Sequence, residues 1–322
     1  MLIVMPNPCL DITIHVPALV PGTVSRATGT VTTAGGKGVN VARSARALGA
    51  GSIRLAGLVP GDSARFPELL AAEGTELLPI DVPGTTRVAT IMLEDSGRTT
   101  VINGRGPDLT ADDLVRLLAV VRGALRPGEV LVCSGSLPPG LPVDAYGRLT
   151  QIAHDAGSPA VVDAAPAVLR AALPYRPDIV SPNLAEAEGL LFGRADERVD
   201  EVGDDIPARA LSAAVALHEA GAGLAVVTAG AAGAAFVDGD GAKWVASPAI
   251  RLVNPIGAGD AFAGGAAMAL AQGARGADVV LCGMAAGSAS CEVELAGDLD
   301  PLRAAELLAG LRPVERERTD AT

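Results

Sequence analysis

Residues 129–180 alternate short apolar runs with longer amphipathic ones: EVLVC (129–133), the loop SGSLPPG (134–140), VDAYGRLTQIAHDAG (143–157), PAVVD (159–163), PAVLRAAL (166–173) and DIV (178–180). The short runs are Val-rich and show little polar alternation, as strands buried on both faces do. The longer runs repeat apolar residues at helical spacing, which predicts helices over 143–157 and 166–173. Successive strands joined by helices can lie parallel, because the helix carries the chain back along the sheet. The fold class expected is α/β: a doubly wound, mostly parallel sheet flanked by helices, with a small β lid described below. Ligands in such a sheet sit at the carboxyl ends of the strands, where the loops gather.

The same rhythm extends outward. A helix over 112–125 precedes the stretch, and helices over 184–191 and 207–221 lead into a strand at 224–228. Ala220–Val237 carries no charge over a length near the lower limit for a membrane span, but four glycines and Thr228 break it. It reads as strand, turn, strand within a core. Two early segments depart from the rhythm. Residues 9–33 and 83–106 alternate β-branched and polar residues with no helix between adjacent strands, which predicts a small antiparallel lid over one edge of the main sheet. The core is then 1–8, 34–82 and 107–314. The acidic run Asp196–Asp205 reads as a solvated loop before a helix, and 315–322, whose only apolar residue is Ala321, as a disordered tail.

The 322 residues suffice for one large α/β domain or two ordinary ones. Hydrophobic residues make up 49% and aromatics 2%, so Ala, Val, Leu and Gly fill the core. A net charge of −12 argues against nucleic acid and anionic membranes as partners, and an anionic ligand would need cations gathered locally. The four cysteines show no CxxC spacing, and with the three histidines they suggest neither a zinc site nor a disulfide framework. MLIVMPNP lacks the pattern of a signal peptide. A cytoplasmic location is expected.

Four Gly- or Asn-marked junctions carry the chemistry. Asn254-Pro255-Ile256-Gly257-Ala258-Gly259-Asp260 follows a Val-containing run read as a strand and precedes an Ala-rich helix over Ala261–Gln272. Its glycines let successive N–H groups converge, and the helix dipole adds to the cradle. Asp260 at its edge could take a proton while the amides stabilise a transferring phosphoryl group. At a helix's first turn, the dipole should keep it ionised at neutral pH. The plain alternative is a Gly-rich turn capped by Asp.

Ala34-Gly35-Gly36-Lys37-Gly38-Val39-Asn40-Val41-Ala42-Arg43 is a second Gly-rich turn entering a helix. It matches neither the Walker A pattern nor GxGxxG. In Ser181-Pro182-Asn183-Leu184-Ala185-Glu186, Asn183 and Glu186 share a helix face and could hold a hydrated magnesium, or form an ordinary capping box. Thr228-Ala229-Gly230-Ala231-Ala232-Gly233 ends a strand and could border a nucleotide.

In their order and spacing these motifs resemble the ribokinase-like (PfkB) carbohydrate kinases, from Asn7 to about residue 310. Within the family the chain is most similar to the phosphofructokinase and tagatose-phosphate kinase branch. Asn7-Pro8-Cys9-Leu10-Asp11, Gly84-Thr85-Thr86-Arg87, Ile102–Pro107 and Ser134–Gly140 carry that likeness. Lys37 and Val24-Ser25-Arg26 lean toward 1-phosphofructokinase.

The resemblance implies that Asp11 and Asn40 bind sugar hydroxyls, with Gly35 and Gly36 admitting the sugar to the backbone. Lys37 and Arg87 would meet a substrate phosphate, beside Ser136. Asp260 would be the base, and Gly257, Ala258 and Gly259 the anion hole. Asn183 and Glu186 would position Mg2+, directly or through water, near Asp163; Thr228, Gly230 and Gly233, with Asn183, would border ATP. Arg26, Arg43, Arg98 and Arg105 fall in or beside the lid and first signature, without assigned roles.

Three positions depart from the family pattern: Pro255 where Thr is usual, Ser181 where Lys is common, and Ala164-Ala165-Pro166 after Asp163. The expected activity is ATP-dependent phosphorylation of a sugar phosphate, fructose 1-phosphate first. Fructose 6-phosphate or tagatose 6-phosphate follows, then a free sugar or nucleoside, and last a non-catalytic sensor. A homodimer through the lid is the expected assembly.

Overall fold

The computed structural model describes residues 1–62, 64–193 and 203–315. The chain begins β1 (Leu2–Val4), β2 (Cys9–Val16), β3 (Gly29–Gly35), α1 (Lys37–Ala47), β4 (Arg54–Pro60), α2 (Arg65–Ala72) and β5 (Glu76–Val82). It continues through β6 (Arg87–Glu94), β7 (Thr99–Asn103), α3 (Ala111–Ala124), β8 (Leu131–Ser134), α4 (Ala145–Asp155), β9 (Ala160–Asp163) and α5 (Pro166–Ala172). Then follow β10 (Ile179–Val180), α6 (Leu184–Phe192), α7 (Ile206–Glu219), β11 (Leu224–Thr228), β12 (Gly233–Asp238) and β13 (Gly241–Ala246). Helices α8 (Ala258–Ala271), α9 (Ala277–Ser290) and α10 (Pro301–Gly310), and strand β14 (Val314–Glu315), complete it.

The strands form a 10-stranded sheet, ordered β14-β13-β12-β11-β10-β9-β8-β1-β4-β5, and a separate 4-stranded sheet, β3-β2-β6-β7. From β11 to β5 every neighbour is parallel, while β12, β13 and β14 add an antiparallel edge. Ile3 pairs with Leu55 on one side and Val132 on the other, which makes β1 an interior strand. Its neighbours Leu2 and Val4 belong to the core under α3, α4 and α7, and Ile3 to the core under α1, α8 and α9. Every residue of β4 is buried, as a strand covered on both faces must be. The mostly parallel, helix-flanked sheet expected from 129–180 is therefore the observed fold.

Three expectations need correction. The small sheet is not wholly antiparallel, because β2 and β6 run parallel, Asp11 opposite Ala89. Both leave parallel strands of the large sheet, β1 and β5, at the same end and so enter the small sheet in one direction. Second, residues 250–253 form no strand. The backbone N–H groups of Val253 and Asn254 both donate to Cys291 O at the end of α9, at 2.8 and 3.1 Å, which leaves no ladder to join. Helix α8 starts at Ala258, earlier than expected. Third, the tail begins later than expected, since Glu315 pairs with Lys243 across β14 and β13. The rest of the tail, and Asp196–Glu201 with most of the acidic run, lie outside the described residues. No helix among the described residues is long and apolar enough to cross a membrane.

Candidate active site

A cleft of about 1040 Å³ opens at the carboxyl ends of the parallel strands, between the large sheet and the small one. Parallel strands end together, so β1, β8, β9, β10 and β11 deliver Asn7, Ser136, Asp163, Asn183 and Thr228 to its floor. The small sheet contributes Asp11 and Arg87. Lys37 and Asn40 enter from the first turn of α1, and Gly257, Ala258, Gly259 and Asp260 from α8.

Asp260 is 5% exposed, and its Oδ2 accepts a hydrogen bond from Asn40 Nδ2 at 2.8 Å. The helix cap residue is Gly257, with no side-chain capping bond, so the plain capping role for Asp260 is not what the geometry shows. The expectation that the helix dipole keeps this carboxyl ionised at neutral pH is also corrected. Burial is the largest cause that raises the Asp260 carboxyl, Lys37 and the Asn40 bond oppose it, Asp163 and Glu186 add to it, and the net places the group at about 7. A group poised there can accept a proton near neutral pH.

Lys37 Nζ lies 3.1 Å from Asp163 Oδ2. That carboxylate, with Asp260 and Glu186 adding to it, raises the ammonium above its ordinary range and keeps it charged. Lys37 therefore turns to the carboxylates at the base of the cleft. Arg87 instead donates to Asn7 O from Nε and Nη2, both at 3.3 Å. Asn7 Nδ2 donates to Ser136 Oγ at 3.0 Å, while Asn7 Oδ1 is buried without a partner among the described residues. The carboxyl of Asp11 is shifted upward by burial, with Cys9, Arg43 and Arg87 opposing. It lies directly against Gly35, where any Cβ would overlap it.

The turn before α8 is tightly specified. Gly257 has φ +85°, and a Cβ there would stand 2.9 Å from Gly297 N. Asn254 holds the turn from behind, accepting from Ile256 N at 3.0 Å and donating to Glu294 O at 2.8 Å. At Gly259 a Cβ would meet nothing within 4 Å, so the cleft side of the first turn is open. The free amides of a helix start, facing a cleft, suit a tetrahedral or planar anion.

Asn183 and Glu186 form a capping box, with Glu186 N donating to Asn183 Oδ1 at 2.8 Å and Asn183 N to Glu186 Oε2 at 3.0 Å. Both also line the cleft, as does Asp163. No group of three or more His, Cys, Asp or Glu among the described residues is arranged as a metal cage. The donor set fits a magnesium ion that keeps most of its ligands as water and phosphate.

Gly35, Gly230 and Gly233 do not line the cleft. Gly35 lies behind Asp11. Gly230 O accepts from Ser247 Oγ at 2.8 Å, and Gly233 opens β12, paired with Ala246. Arg98 pairs with Glu94, and Arg105 lines the cleft while pairing with Asp108. Asn7 and Asn254 went without roles at the sequence level although their motifs were marked. So did Arg43, which is buried and bonded to Asn40. Ser181 Oγ, at the departure from the family lysine, is buried in the cleft wall without a partner among the described residues.

A buried carboxyl raised to about 7, a lysine among carboxylates and a helix start open to the same cleft are features suited to phosphoryl transfer to a hydroxyl. Comparison with solved structures agrees. Phosphofructokinase-2 from Escherichia coli, crystallised with fructose-6-phosphate, is 28% identical over 96% of this chain and 98% of its own, with a TM-score of 0.84. The same enzyme is known in a tetrameric inhibited form. A carbohydrate kinase from Agrobacterium tumefaciens is 25% identical, with 96% of each chain covered and a TM-score of 0.71. A possible 1-phosphofructokinase from Thermotoga maritima shares the fold at a TM-score of 0.84 over 98% and 99% of the two chains, with 22% identity. The model of the pfkB family carbohydrate kinases matches residues 6–302. The chain belongs to the pfkB family of carbohydrate kinases and is a sugar kinase.

Proposed function

We propose that this carbohydrate kinase transfers the γ-phosphoryl group of ATP to a hydroxyl of fructose 1-phosphate, giving fructose 1,6-bisphosphate. The observation that supports the reading is the pairing of Asp260 with Asn40 at the mouth of the α8 turn, with Lys37 and Arg87 in the same cleft. Asp11 and Asn40 orient the sugar hydroxyls. Arg87, beside Ser136 and Asn7, receives the substrate phosphate. Asp260 takes the hydroxyl proton as the new O–P bond forms and the bond to ADP breaks. Lys37 and the amides of Gly257–Gly259 balance the charge on the group in transit. Asn183, Glu186 and Asp163 would hold magnesium, which neutralises nucleotide phosphates when bound. Thr228 borders the nucleotide.

Fructose 6-phosphate is the second reading, favoured by the fructose-6-phosphate complex of the 28% identical E. coli enzyme. The small sheet acts as a lid, and exposed Val31, Val101 and Ile102 on it support a homodimer through that sheet. The test is an ADP-release assay across fructose 1-phosphate, fructose 6-phosphate, tagatose 6-phosphate and free fructose. Highest kcat/KM on fructose 1-phosphate is expected. Preference for a 6-phosphate selects the second reading, and no turnover with tight sugar-phosphate binding selects a sensor.

A further inference from the structure

Arg43 is 5% exposed, and all five of its N–H donors are used. Nε and Nη2 donate to the two carboxylate oxygens of Glu73, each at 2.7 Å. Nη2 also donates to Ala34 O at 2.6 Å, and Nη1 to Asn40 Oδ1 at 2.9 Å and to Ala296 O at 3.2 Å. These acceptors are not a random set. Ala34 is the penultimate residue of the small sheet's β3, beside Gly35, against which the Asp11 carboxylate rests. Ala296 backs Gly257 at the helix start, and Asn40 holds Asp260.

The bond to Asn40 has a directional consequence. A guanidinium can only donate, so the amide must present Oδ1 to Arg43 and Nδ2 to Asp260. Without Arg43, the amide can turn over and offer Oδ1 to Asp260 instead. An oxygen in that place repels the carboxylate and accepts from the protonated acid, so it favours the wrong form of a base. Glu73 neutralises the buried guanidinium and keeps it in the plane that reaches both Asn40 and the loop at Ala296.

We propose that Arg43 is a positioning residue for phosphoryl transfer: it fixes the orientation of the Asn40 amide and thereby keeps Asp260 competent to accept a proton. The proposal rests on the reading of Asp260 as the base. It requires a guanidinium, because a lysine bonded to Glu73 has no planar fork with which to reach Asn40 as well.

The experiment compares wild type, Arg43→Met, Arg43→Lys and Arg54→Met. Arg54 is an equally buried arginine, paired with Glu129 away from the cleft, and serves as a control for lost stability alone. Two quantities are followed: the acid limb of the kcat–pH profile, and the Asp260 carboxyl titration by carbon-13 NMR of labelled protein. Both Arg43 variants should move limb and titration alkaline by about one pH unit, the size of a hydrogen bond to a charged group. In an Asn40→Ala background, Arg43→Met should add no further shift. Arg54→Met should lower Tm and leave both readouts in place.

Unmoved limbs in the Arg43 variants, or an equal shift in Arg54→Met, overturn the proposal. Failure of both Arg43 variants to fold does so too, since it marks a folding residue. Wild type without turnover would instead reject the kinase reading, and the NMR titration would still decide the Arg43–Asn40–Asp260 relay.

Discussion

Asn40 Nδ2 donates to Asp260 Oδ2 at 2.8 Å, joining the first turns of α1 and α8 across 220 positions of sequence. The proposed base and its hydrogen-bond donor thus come from two glycine-capped helix starts. The bond engages Oδ2 of Asp260, and in the proposed reaction Oδ1 would meet the incoming hydroxyl.

Replacing Asp260 with Asn keeps the shape and an acceptor for Asn40 but removes the basicity. Turnover should fall by about 10²–10⁴-fold with ATP binding retained. Its carboxyl is raised from 3.8 to about 7 in the fold, so the folded state holds more protons than the unfolded one within that window. Stability from this group is therefore lost as pH rises through the window, and at pH 7–8 the Asn variant should melt no lower than wild type. Melting temperature, ATP titration and turnover on one preparation check this. Unchanged turnover in the folded variant removes Asp260 as the base.

The same raised carboxyl sets a pH dependence. A base must be ionised to act, so kcat should decline below about pH 7 along a single-proton limb. A flat profile down to pH 5 would show that proton acceptance by Asp260 does not limit turnover.

Arg87→Ala should raise KM for a fructose phosphate by roughly 10- to 150-fold, the equivalent of a charge-assisted pair of about 1.5–3 kcal/mol. KM for ATP should barely move. Equal losses on free fructose and on its phosphates would remove Arg87 from the phosphate subsite.

Two glycines two residues apart in the same turn should respond in opposite ways. Gly257→Ala places a side chain at φ +85° and against Gly297, so Tm should fall by several degrees. Gly259→Ala meets no protein atom within 4 Å and should keep or raise Tm, yet its methyl crowds the open side of the turn and turnover should drop at least tenfold. Full activity in Gly259→Ala would mean that the anion lies elsewhere.

Removal of magnesium with EDTA should abolish activity, and Glu186→Gln should raise the magnesium concentration for half-maximal rate. Gln at that helix position still closes the capping box with Asn183, so Tm should hold within a degree or so. A lowered Tm with an unchanged magnesium requirement would leave Glu186 a cap alone.

The sequence by itself determined the layers and the ends at which the site forms. Strand and helix in 129–180 are set by local periodicity, and parallel strands must end on one side, so motifs at strand ends converge without further information. The glycine turns were legible for the same local reason. Tertiary structure alone decided the rest. The acceptors of Arg43 lie between 3 and 253 positions away, two of them backbone carbonyls that no residue type betrays. The raised Asp260 carboxyl overrides the helix dipole because burial is a property of the packed chain, while the dipole is a property of one helix. Strands β2 and β6 run parallel because their parent strands do, and Val253 joins no ladder because Cys291 has taken its N–H. Sequence periodicity records what each segment prefers alone; partners distant along the chain are fixed only when the segments pack.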